Sequence, residues 1–172
     1  MVESQQVALE YPFSKLLAAS FKTEKHRGED ALNDKKTTVH VTREIAAPAS
    51  TVWATVRDFA GITKFLPMFE LVGQADNNIG SIRSLKQGDA IFHERLEALD
   101  DVARIQRYSI VEAPVPFQDY LGELAVHDLG NNRCAVSWSS TFIVVGAPEA
   151  GVTGMVEGLY DAGIDQLVKL HA

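Results

Sequence analysis

The chain has a single cysteine, Cys134, so it can form no internal disulfide, and a thiolate metal centre would lack companion ligands. Its five histidines, His26, His40, His93, His127 and His171, have no short ligand spacing, which argues against a bound metal. Basic residues are outnumbered 16 to 23, and the net charge of -7 would repel nucleic acid and anionic membrane surfaces. Long apolar runs are missing too. The best one near the start, Phe13 to Phe21, is broken by Ser14, Lys15 and Ser20, and Glu3 and Glu10 stand where a secretory signal needs positive charge. The expectation is a cytoplasmic chain with neither signal peptide nor membrane span. No glycine-rich phosphate loop follows a strand, and no serine lies in a nucleophile-elbow context.

What is present suits one domain: 172 residues, 46% of them hydrophobic, can bury one sizeable core. Residues 1–36 read as a polar leader. Phe13, Leu16, Leu17 and Phe21 recur at helical spacing, so the leader is either mobile or a short helix. From Lys22 to Lys36 there are too few apolar groups to offset the entropy of ordering. The folded unit, residues 37–172, begins with Val39, Val41 and Ile45 alternating with His40, Thr42 and Glu44, the period of a half-buried strand. Pro48 starts a helix through Val52, Trp53, Val56 and Phe59. Gly61 ends it, and Ile62, Phe65 and Leu66 make a second short helix before Pro67.

Strand signals then follow one another: 69–74, 81–87, 90–99, 104–113, 119–128 and 133–145. Gly88-Asp89, Asp100-Asp101 and Gly130-Asn131-Asn132 punctuate them, while Pro114-Val115-Pro116 interrupts pairing. Connections this short give an antiparallel meander, because a parallel pair needs a crossover of about a dozen residues or more. Cys134, Val136, Trp138, Ser140 and Phe142 share the core face of the last strand. Tyr120, Gly122, Leu124 and Val126 point inward, as do Phe92, Glu94, Leu96 and Ala98, with Leu121 and Ala125 outward. A helix from Pro148 to His171 carries the apolar stripe Val152, Met155, Val156, Leu159, Gly163, Leu167 and Leu170. Gly151, Gly154, Gly158 and Gly163 weaken it by about 1 kcal/mol each, which calls for either a close approach to the sheet or ligand, or a frayed first turn.

The run from Glu94 to Asp101, continuing through Arg104, Tyr108 to Glu112 and Tyr120, resembles the polyketide cyclase/dehydrase branch of the START-like (SRPBCC) superfamily. The helix after Pro48 and the Gly80-Ser81-Ile82-Arg83 strand fit the same pattern, so the resemblance covers Thr37 to the end. It implies an α+β helix-grip fold: a curved antiparallel sheet of about seven strands around a long C-terminal helix, a fold that leaves activity open. A more distant likeness reaches the birch pollen allergen family and the plant abscisic-acid receptors, the latter at Glu94, Arg95, Leu96, Tyr108 and Tyr120. Leu71 stands where those receptors place their hormone-holding lysine, and their gating loop is reduced to Gln87-Gly88-Asp89, so hormone reception is not carried over.

The resulting expectation is an internal cavity of about 300–1,000 Å³ for a small hydrophobic molecule. Arg83, Glu94 and Tyr120 are its polar contacts. Its walls are Leu85, Phe92, Tyr108, Ile110, Trp138, Ser140, Phe142, Val156, Leu159 and Tyr160. Arg83 and Glu94 are either a structural ion pair or, in a cyclase or dehydratase, an acid/base with its electrophilic partner. A third reading is a protein-interaction module with a filled interior. No cofactor is implied, and the chain is expected to be a monomer or homodimer.

Overall fold

The computed structural model describes residues 35–172. The helix expected within Phe13 to Phe21 lies outside them.

Strand β1, Thr37–Ile45, buries Val39, Val41 and Ile45 and leaves His40, Thr42 and Glu44 in solvent. Pro48 then sits at the N-cap of helix α1, Ala49–Val56, where its fixed φ of -60° suits the helix entrance and its missing N–H would have had no partner. Val52, Trp53 and Val56 bury the inner side of α1. Arg57 caps its end, and the extended backbone of Asp58 separates it from a 3-10 turn at Phe59–Lys64. Gly61, expected to break the first helix, lies inside that turn instead. A Cβ there would come within 2.5 Å of the Asp58 carboxylate, so the position is small because Asp58 folds over it.

Six strands follow: β2 Glu70–Val72, β3 Ile82–Gln87, β4 Ala90–Asp100, β5 Ile105–Glu112, β6 Phe117–Gly130 and β7 Arg133–Val144. They form one sheet in the order β1-β7-β6-β5-β4-β3-β2, every neighbouring pair antiparallel. The turn at Gly130-Asn131-Asn132 takes positive φ at all three positions, a conformation open to glycine and asparagine. The β4–β5 turn is longer than the expected Asp100-Asp101 pair. The Asp100 carboxylate accepts the N–H groups of Val102 and Ala103 to close it. Asp101 meanwhile reaches α1, accepting bonds from Trp53 Nε1 at 2.9 Å and Arg57 Nε at 2.8 Å.

One expected facing and one expected exposure are corrected. Leu96 pairs with Tyr108, but Ala98 pairs with Arg107, so Glu97 is an extra residue and the alternation reverses. Ala98 therefore turns outward, and Leu99 packs against the core in its place. Ala125, expected exposed, is buried without joining the core cluster, its methyl shaded by neighbours such as Ile105 and Ser137 on the flanking strands.

The long helix α2, Glu149–His171, crosses the concave face and buries Val152, Met155, Val156, Tyr160, Gly163, Ile164 and Leu167. Leu170, placed on that stripe by spacing, is 48% exposed because it lies in the last turn. Only Gly163 makes a close approach: a Cβ there would meet the Trp138 ring at 2.6 Å and Leu66 at 3.1 Å. Gly151, Gly154 and Gly158 face open space, yet the first turn is not frayed, since Gly151 and Val152 both donate to the Pro148 carbonyl. No helix among the described residues is long and apolar enough to cross a membrane.

Candidate functional site

Between the sheet and α2 the structure leaves a void. Leu85, Phe92, Glu94, Tyr108 and Ile110 approach it from β3, β4 and β5, and Tyr120 and Trp138 from β6 and β7. Val156, Leu159 and Tyr160 close it from the helix. Six further wall residues have no counterpart in the sequence reading of the site: Ile62, Leu66, Phe69, Val115, Phe117 and Met155. The room inside is about 40 Å³, within about 540 Å³ of non-atom space that includes the open mouth. By volume the interior holds a few waters and falls well short of the size expected of a ligand cavity, roughly 300–1,000 Å³. It is narrow but not solid.

Three residues expected at the cavity stand behind its wall. Phe142 packs against Phe117 at 4.9 Å and Tyr120 at 6.2 Å between ring centroids. The Ser140 hydroxyl is buried beside Tyr160 without a well-formed hydrogen bond. Arg83, 1% exposed, lies under Glu94: its Nε donates to Glu94 Oε2 at 2.6 Å and its Nη1 to the Phe59 carbonyl at 2.8 Å. The guanidinium is held between two rings, 4.2 Å from the centre of Phe59 and 5.0 Å from that of Tyr108. Its Nη2 has no partner among the described residues. Glu94 thus shields the charge of Arg83 from the void, and its own Oε1 makes no hydrogen bond to any described residue.

The second polar group is a run of hydroxyls. Trp138 Nε1 donates to the Tyr108 hydroxyl at 2.9 Å, which bonds to that of Tyr120 at 2.9 Å, which bonds to that of Tyr160 at 2.5 Å. Trp138 and Tyr160 also stack, with centroids 4.7 Å apart and planes 9° from parallel. Gly122 makes room for this arrangement, because a Cβ there would strike the Tyr108 ring at 2.6 Å. Phe117 reaches the same side as Tyr120, three residues on, because β6 bulges between Gln118 and Leu121, with Asp119 at φ 53°.

Burial pushes the Tyr108 hydroxyl up to about 12, with the nearby Glu94 carboxylate adding to the effect. Tyr120 and Tyr160 are raised well above their ordinary value for the same first reason, burial. A folded-state pKa above the unfolded one favours the neutral hydroxyl in the fold. That stability is fully present below the ordinary value of 10.0 and is lost as pH rises towards about 12. Tyrosinate absorbance is therefore expected to show these three rings ionising only together with cooperative alkaline unfolding, monitored in parallel by circular dichroism. Ionisation of all of them near pH 10 in a still-folded protein would contradict the arrangement.

Comparison with known proteins agrees with this architecture. Residues 36–172 match the family described as polyketide cyclase / dehydrase and lipid transport. The chain belongs to that family. A crystal structure from Bacillus thuringiensis is 27% identical, with a TM-score of 0.71 over 78% of this chain and 98% of the other. The XoxI protein of Bacillus cereus is 26% identical, with a TM-score of 0.69 over 78% and 95%. Norcoclaurine synthase from Thalictrum flavum, solved with a transition-state analogue, is 20% identical, with a TM-score of 0.64 over 81% and 96%. At that identity the likeness is one of fold. The family assignment and the seven-stranded sheet gripping a terminal helix agree with the START-like resemblance.

Proposed function

We propose that this member of the polyketide cyclase / dehydrase and lipid transport family binds a small, largely hydrophobic molecule between its sheet and α2. The observation that carries this reading is the void itself: an apolar-walled space with Glu94 and the tyrosine hydroxyls at its inner side. Interiors normally pack to the density of organic crystals, so retained free space next to polar groups supports a binding role. With about 40 Å³ free, an occupant must displace wall side chains, and the half-buried Ile110, Val115, Phe117 and Leu159 are placed to yield.

The small volume also favours a second reading, a domain whose filled interior only supports its outer surface. N-phenyl-1-naphthylamine, a neutral dye that brightens in apolar surroundings, separates the two. The first reading expects saturable binding that Leu159→Trp abolishes by filling the void. If the wild-type chain shows no saturable signal, or Leu159→Trp binds equally well, the filled-interior reading prevails. Catalysis by Glu94 would require turnover that Glu94→Gln removes, and the carboxylate oxygen that accepts from no described residue is the feature favouring that search.

A further inference from the structure

We infer that the cavity selects neutral molecules bearing a hydroxyl group, a phenol or alcohol, and discriminates against carboxylates and other anions; this rests on the binding role proposed above. The first ground is charge. Among the wall residues Glu94 carries the only formal charge at neutral pH, and the cation that balances it, Arg83, is held behind it. An incoming carboxylate would give up its hydration, meet no cation among the described wall residues, and face the open side of Glu94. Burying a charge without a partner is strongly unfavourable.

The second ground is hydrogen-bond accounting. The three tyrosine hydroxyls and the Trp138 N–H supply four protons to the run, but the run has three links. Whichever way each link points, one hydroxyl proton is left over. All three tyrosines border the void, and the neighbouring Ser140 hydroxyl makes no well-formed bond to any described residue. Close by, Glu94 Oε1 accepts from no described residue. Glu94 lines the same void as Tyr108 and Tyr160, and its partner Arg83 lies 5.0 Å from the centre of the Tyr108 ring.

One chemical group answers both vacancies. A hydroxyl accepts the surplus tyrosine proton and donates its own to Glu94 Oε1. A ketone accepts only, and leaves Glu94 unmet. An ammonium donates only, and leaves the tyrosine proton unmet. A hydrocarbon satisfies neither, although it fits the walls.

Calorimetric titration of the full chain at neutral pH with 4-ethylphenol, 4-ethylbenzoate and ethylbenzene tests this directly. The phenol is expected to bind at least about tenfold more tightly than either of the others, the scale of one well-made hydrogen bond to a charged group. Glu94→Gln exposes the uncompensated charge of Arg83, so the order of phenol and benzoate should reverse in that variant. Benzoate binding as tightly as phenol to the wild-type chain overturns the inference and leaves the binding role standing, as does ethylbenzene matching the phenol. If none of the three binds, and the dye does not bind either, the binding role fails and the inference with it.

Discussion

Replacing Arg83 by methionine is expected to lower the stability of the fold by about 3–5 kcal/mol, the cost of leaving one member of a buried ion pair without its partner. Size is not the issue, since methionine fills much of the same space. The loss arises because Glu94, itself buried, would be left without its cation against an apolar wall while the Phe59 carbonyl lost its donor. The pairing of Arg83 with Glu94 across β3 and β4 is register-fixed, so no other described cation is positioned to take over. Urea unfolding followed by circular dichroism measures the effect. The double variant Arg83→Met with Glu94→Leu should recover most of it, because exchanging a whole buried pair for apolar groups is often neutral or favourable. A single-variant loss below about 1 kcal/mol, the range of exposed pairs, would mean that solvent reaches the pair.

Trp138→Ala is expected to cost about 3–5 kcal/mol, as large aromatic deletions in a core do. Trp138 is 1% exposed, stacks on Tyr160, meets Phe65 edge-on at 5.9 Å, and anchors the hydroxyl run through its N–H. A companion change sharpens the test. Gly163→Ala should destabilise the wild-type chain, because its Cβ would meet the Trp138 ring at 2.6 Å. Overpacking of this kind costs about 1–3 kcal/mol, more than the gain of about 1 kcal/mol in helix propensity. Without the indole the 2.6 Å clash is gone and the nearest of the remaining contacts is the movable tip of Leu66 at 3.1 Å, so in the Trp138→Ala background Gly163→Ala should stabilise. If Gly163→Ala has the same sign in both backgrounds, the indole does not account for the glycine.

The parts of this fold written in strict alternation were the legible ones. From Cys134 to Phe142 no residue breaks the period of two, so facing followed directly from sequence. Bulges were hidden because an extra residue leaves no mark in composition, and for that reason Ala98 was assigned to the wrong face and Phe117 was left outside the strand that begins with it. Asp119 at positive φ is a weak clue at best, since aspartate tolerates that region without demanding it. Arg83 and Glu94 were recognisable as partners on adjacent strands. Their order of depth was not, because alternation gives a side chain's face and says nothing of how far it extends or what screens it. Three of the six additional wall residues, Ile62, Leu66 and Phe69, come from the 3-10 turn and the connection after it, where three-dimensional closure, rather than periodicity, brings a residue inward.

The sheet order has a consequence for how the chain is made. Strand β1 emerges first among the described residues, but it pairs with β7, Thr37 opposite Phe142. At synthesis rates of about 5–20 residues per second, it waits on the order of 5–20 seconds for that strand to leave the ribosome. During this interval Val39, Val41 and Ile45 have no neighbouring strand to cover them, while β2 to β6 are already free to zip sequentially. The nascent protein therefore carries a sticky, unpaired ribbon near its start, a natural target for holding chaperones until the last hairpin closes the sheet.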